Sequence, residues 1–157
     1  MPRVYTIEFE GQSVTNANGD YDLFSLQPAD DKPIEITGLV LVTTSEIAEA
    51  QEEFLRIRVV RGHTSLTGGT STTPVPADPI DTASGATCAV LHTTIASAGT
   101  AVFPFSDAFQ VRAGYNFMWP DRHGPRCSQA QTSIVVRLMA AVTDDVTMSG
   151  TLFFQES

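Results

Sequence analysis

From Phe54 to His63 apolar and polar side chains alternate. Leu55, Ile57 and Val59 fall on one face of an extended strand, and Arg56, Arg58 and Val60 on the other. The same period sets Tyr5, Ile7 and Phe9 against Thr6, Glu8 and Glu10 in a first strand at 4–10, closed by the turn residues Asn16, Asn18, Gly19 and Asp20. A second strand at 21–26 ends at Gln27 and Pro28, and a third at 33–43 carries Leu39, Val40, Leu41 and Val42 in a row, so burial on both faces is expected. Further strands are predicted at 86–94, 100–105, 108–112, 115–119, 133–142 and 146–154, each bounded by Gly, Pro, Asp or Ser. Asp144 and Asp145 fill the link between the last two, which predicts a hairpin. The resulting fold class is all-β: a single domain over 1–157, a jelly-roll-like β-sandwich of about 8–10 strands.

Two segments break the period. In 44–53, Ile47, Ala50 and Phe54 stand at helical spacing, which allows one short helix; the alternative is an acidic loop with Glu46, Glu49, Glu52 and Glu53 solvated. In 64–85 almost nothing is available to bury, and Gly68, Gly69, Pro74, Pro76 and Pro79 predict an extended arm or loop. Proline lowers the entropy lost when such a segment docks, so the arm is expected to clasp another subunit. Its deletion is expected to leave the monomer's melting nearly unchanged.

Charge narrows the partners. The chain of 157 residues holds 18 acidic and 9 basic side chains, a net charge of -9, which opposes binding to a nucleic-acid backbone. Lys32 is the only lysine; the arginine bias suits fixed carboxylate pairs and is equally the mark of a GC-rich genome. The start at Met1, Pro2 and Arg3 has no apolar leader core, and no run approaches a membrane span, so a soluble protein made in a cytoplasm is expected, with neither nucleic-acid nor membrane partner. Cys88 and Cys127 are expected as thiols, since a domain of this size does not need the crosslink.

Cys88 and His92 stand four residues apart in a strand, roughly 13 Å, too far to share a zinc ion. The loop of Asp121, Arg122, His123, Arg126 and Cys127 collects a base, a nucleophile and cations, yet the arginine position of a phosphatase-type loop is Ser133. Asp20, Asp22, Asp30 and Asp31 lack a calcium-loop order. No catalytic, metal or cofactor assignment follows. Trp119 ahead of the loop reads as a rim meeting a partner. The candidate interface residues are Arg56, Arg58 and Arg61 on the strand, Pro74, Pro76 and Pro79 in the arm, and Trp119, Arg122, His123 and Arg126 in the loop. Glu46, Glu49, Glu52 or Glu53 are expected to pair Arg56 and Arg58, within or between subunits.

The passage from Thr44 through Gln51 to Thr64, the arm behind it, and Phe109 to Tyr115 resemble small structural proteins of tailed-bacteriophage virions. The resemblance implies a non-enzymatic capsid decoration, or cement, protein: a homotrimer bound to the major capsid protein on the outside of the virion. A tail or baseplate component, or a carbohydrate-binding jelly roll using Tyr115, Phe117 and Trp119, are the alternatives.

Overall fold

A computed structural model of the chain describes residues 2–15, 19–45, 53–128, 132–139 and 142–157. In order the strands are β1 (Arg3–Val14), β2 (Tyr21–Gln27), β3 (Ile34–Thr43), β4 (Phe54–His63), β5 (Ser65–Thr67), β6 (Thr70–Thr72), β7 (Val75–Pro76), β8 (Thr87–His92), β9 (Thr94–Ser97), β10 (Val102–Gln110), β11 (Tyr115–Met118), β12 (Arg126–Cys127), β13 (Ser133–Met139) and β14 (Val146–Glu156). There is no helix among the described residues. The proposed helix at 44–53 falls mostly on 46–52, outside them.

Among the described residues one sheet runs β11-β3-β14-β1-β7, with β12 also on β3, and the other runs β10-β4-β13-β2-β8-β6; β5 and β9 form a separate pair. Apart from β8, which adds to β2, successive principal strands alternate between the two sheets except at β4 and β10, which are neighbours, and the last strand, β14, lies between the first and third. This is the strand order of a jelly roll, two interleaved Greek keys. The expected hairpin at Asp144–Asp145 is therefore corrected. β13 pairs β2 and β4 while β14 pairs β1 and β3, so the link crosses from one sheet to the other. Each strand already has two neighbours, and a turn signal cannot name which sheet the next strand joins.

Alternation decides the core. Tyr5, Ile7 and Phe9 of β1, Leu39 and Leu41 of β3, and Leu55, Ile57 and Val59 of β4 are buried between the sheets with Leu152 and Phe154 of β14. Tyr5 stacks on Phe154 at 5.6 Å, and Phe9 meets Phe24 across the layers at 5.2 Å. Each such side chain contributes about 1.5–3 kcal/mol on burial. β3 is not buried on both faces: Val42 is 42% exposed, because β3 has only solvent outside its sheet there. The predicted strands at 100–105 and 108–112 are one strand, β10, with a register shift between Val102 and Phe105.

A second, smaller cluster lies on the outer face of the β4 sheet, where Val60, Val135 and Ala96 are buried with Leu66 and Ala101 against them. The cover is the β5–β9 pair. The segment at 64–85, expected as an extended arm or loop, is held along much of its length by its own body. β6 adds to β8, β7 adds to β1, Ala77 N donates to Val4 O at 2.9 Å, and Tyr5 Oη donates to Thr82 O at 2.9 Å. Gly85 N and the Ser84 hydroxyl donate to Glu156 Oε1 at 2.9 and 3.0 Å. The segment is a strap over its own body, since threonine and glycine backbone can extend a sheet edge without apolar side chains.

Candidate interaction surface

Glu35 organises the loop between β11 and β12. It sits between Ile34 and Ile36 on β3, 5% exposed, and accepts from Gly124 N at 2.9 Å, from Arg126 Nε and Nη2 at 3.0 and 2.9 Å, and from Gln155 Nε2 at 3.0 Å. A partly exposed arginine held at two points on a buried carboxylate is fixed in orientation. The backbone follows: Trp119 N donates to Thr37 O at 3.0 Å and Ile36 N to Pro125 O at 2.9 Å. Position 124 must be glycine, because a Cβ there would stand 1.8 Å from Ile36 O. Sequence reasoning passed over Glu35; its signal was a lone acid inside an apolar strand.

The loop's tip is a turn closed by His123 N to Pro120 O at 3.0 Å, with Arg122 in the left-handed region at φ 62°. Side-chain-bearing residues rarely adopt that conformation. Arg122 and Asp121 approach at 3.7 Å with both side chains exposed, a weak pair. Arg61 reaches over from β4 and donates to Arg126 O at 2.9 Å. Five of the sequence-predicted residues, Arg61, Trp119, Arg122, His123 and Arg126, thus line one open groove of about 330 Å³ with Pro104 and Pro125. Arg61 and Arg126 also border an adjoining groove of about 500 Å³ that runs past Thr100, Val102 and Ser128.

The other five predicted residues lie elsewhere. Arg56 is exposed beside Ser106 and Asp107, and Arg58 lies over the Phe103 ring at 4.9 Å. Within the chain Glu53 is held elsewhere: it accepts from Thr143 N at 2.7 Å and the Thr143 hydroxyl at 3.0 Å. Glu46, Glu49 and Glu52 lie outside the described residues. Pro76 lies in β7, with Pro74 before it and Pro79 after it, at the opposite edge of the sandwich.

Tyr115, Phe117 and Trp119 of the β11 segment do not form an open platform. With Phe105 and Phe109 of β10 they make a ladder of rings 4.8 to 6.3 Å apart that seals the gap between the two sheet edges. Tyr115 Oη donates to Asp107 Oδ2 at 2.8 Å, and burial first, then this bond and the Asp107 charge, raise its pKa.

Two further groups carry nucleophilic or basic atoms. Ser25 Oγ lies 2.8 Å from His92 Nε2 and 3.3 Å from Ala89 O, and His92 Nδ1 lies 2.9 Å from Thr67 O, so the ring donates from Nδ1 to that carbonyl. Both residues are buried, at 1% and 3% exposure, beneath Gly69, where a Cβ would come within 2.4 Å of the imidazole. The pair anchors the strap from beneath it. Cys88 and Cys127 are both buried free thiols. Burial, then Glu156, pushes the Cys88 thiol up to about 12. Cys127 lies 3.4 Å from the Thr132 hydroxyl. Among the described residues no three His, Cys, Asp or Glu side chains gather as metal ligands.

Among the described residues the large exposed apolar side chains are Val42, Phe54, Val102, Phe103 and Met118 around β10 and β11, and Val75 and Ile80 at β7.

No family model and no curated protein matches the chain. Among solved structures it is similar to a chain of the T=1 particles derived from infectious bursal virus, at 15% identity over 98% of this chain and 40% of that one, with a TM-score of 0.18. The chain spans well under half of that protein's length. The similarity is too low to carry that particle's fold or function across.

Proposed function

We propose that the chain is a non-enzymatic structural protein of a tailed-phage virion. It binds the outside of the capsid as a decoration, or cement, protein and does so as a homotrimer. The observation that carries the reading is the concentration of exposed apolar side chains at two opposite sandwich edges, one of them also lined with arginines and bordered by β10 and β11. On a water-exposed module, apolar and arginine-rich rims of this kind are protein contacts. Among the described residues β10 and β11 each have a strand partner on one side only, so edge backbone stands ready for a neighbour. The carbohydrate alternative loses its aromatic platform to the ring ladder between β10 and β11.

The test is immunogold labelling of particles released from cells that carry the gene. Label distributed over the heads is the expected result. Label confined to tails would make the chain a tail component, and unlabelled particles with the protein left in the supernatant would end the virion reading.

A further inference from the structure

The two apolar edges differ in charge, and in shape they are knob and groove. At the β7 edge, Asp78, Pro79, Ile80 and Asp81 form a turn closed by Asp81 N to Asp78 O at 3.0 Å, with Ile80 N also donating to Asp78 Oδ1 at 3.1 Å. Proline at the second position pre-sets this turn. Ile80 stands at its tip, 88% exposed, next to exposed Asp78. The turn is fastened from behind, where Arg3 pairs Asp81 at 3.5 Å and β7 pairs β1. Fully exposed isoleucine on a pre-organised acidic tip is unfavourable in water and well suited to docking.

The groove at the other edge offers the complement. Trp119, Pro104 and Pro125 supply apolar wall, and Arg61, Arg122 and Arg126 supply guanidinium groups around its mouth. Arg126 is held by Glu35, while among the described residues Arg61 donates to the Arg126 carbonyl and Arg122 meets Asp121 in a loose contact at 3.7 Å. A molecule cannot join its own two edges. β3, β14 and β1 separate β11 from β7, four strand spacings or roughly 19 Å.

We infer that the Asp78–Asp81 turn of one molecule seats in the Trp119/Arg122 groove of a second copy of this chain, with Ile80 against the apolar wall and Asp78 at the guanidinium groups of Arg61 and Arg122. The contact is heterologous: each copy offers one edge and receives on the other. Such contacts either close into a ring or run on as a filament. The inference rests on the reading of the chain as an oligomeric module and supplies its subunit contact; it makes the strap both cover for its own sheet and plug for the neighbour.

The test uses the full chain in light scattering and sedimentation, with circular dichroism to confirm the fold. All substituted positions are exposed. Ile80→Ser, Asp78→Arg and Arg122→Glu should each weaken association by roughly tenfold or more. The double variant Asp78→Arg with Arg122→Glu should return association to within about threefold of the parent, since the swapped charges meet again across a head-to-tail contact. A parent that stays monomeric up to millimolar concentration, single variants that assemble like the parent, or a double variant weaker than either single would each overturn the inference. Failure here is distinct from failure of the virion reading. Chains that assemble in this way yet leave particles unlabelled keep the contact and lose the virion, and labelled chains indifferent to these substitutions do the reverse.

Discussion

Arg137 and Asp22 face one another on β13 and β2 as a two-point ion pair closed off from water. Arg137 Nε donates to Asp22 Oδ1 at 2.7 Å and Nη2 to Oδ2 at 3.3 Å, with side chains 7% and 0% exposed. The β9 backbone completes the set: Ala96 N donates to Asp22 Oδ2 at 2.7 Å, and Ala96 O accepts from Arg137 Nη2 at 3.3 Å. Leu23 and Phe24 both enter the main core, and the β2–β13 register shifts there, which leaves Asp22 on the outer face under β9. The pair therefore fastens the β5–β9 cover to the sheet beneath it.

Asp22→Ala strands a buried guanidinium and an amide, and it should cost about 3–5 kcal/mol in urea unfolding. Asp22→Leu with Arg137→Met removes both charges and should lose clearly less, the remaining loss coming from the Ala96 amide. A cost under about 1 kcal/mol for Asp22→Ala would mean that water reaches the pair.

Replacing 68–81 by a short Gly/Ser bridge should now lower stability, the reverse of what the composition of 64–85 suggests. The deletion removes β6 from β8 and β7 from β1, and takes Gly69 off His92. At about 0.5–1.5 kcal/mol per lost backbone bond, part of it recovered by water, a fall of several degrees in Tm is expected. An unchanged Tm in calorimetry would return the segment to a free arm.

That reversal shows what was legible. Leu55, Ile57 and Val59 announced an inward face because alternation is a property of one strand, and the strands at 4–10 and 146–154 were legible for the same reason. Val60 stood on the polar face of the pattern and is buried, since its burial comes from β9 and β5, which a local period cannot see. Asp144 and Asp145 marked a turn but not the change of sheet. In the loop, Trp119, Arg122, His123 and Arg126 were read as one rim, and Arg61 joins them. Glu35, which holds that rim in place, and Ile80, which stands out furthest, had no signal beyond a residue type out of keeping with its neighbours.

On β4 the two faces should respond differently. Ile57 is 1% exposed, and Ile57→Asp places an unpaired charge between the sheets, enough to unfold the domain. Arg56→Gln with Arg58→Gln should leave circular dichroism unchanged and cost on the order of 1 kcal/mol or less, chiefly the contact of Arg58 with Phe103. A loss of several kcal/mol in the double variant would show that these arginines hold partners beyond Phe103.

Cys88 makes stability depend on pH on the alkaline side. Burial, and then the Glu156 carboxylate, raise its pKa to about 12, so the folded chain keeps the thiol protonated where the unfolded chain, with a thiol pKa of about 8.5, releases the proton. Above about pH 8.5 the unfolded state therefore binds fewer protons than the native state, and the slope of unfolding free energy against pH is negative. The contribution is fully present below that pH and is lost at up to about 1.4 kcal/mol per pH unit as pH rises toward the folded value. Tyr21 and Tyr115 are also raised by burial and add the same sign, but only above about pH 10. Urea unfolding of the reduced protein between pH 8 and about pH 9 reads the thiol before the tyrosines contribute appreciably, since they are still almost wholly protonated in both states. Cys88→Ala should start less stable, because a buried side chain is trimmed, and should show a flatter slope than the parent across that window. Parallel slopes for the two proteins would mean that the Cys88 thiol ionises as freely in the fold as outside it.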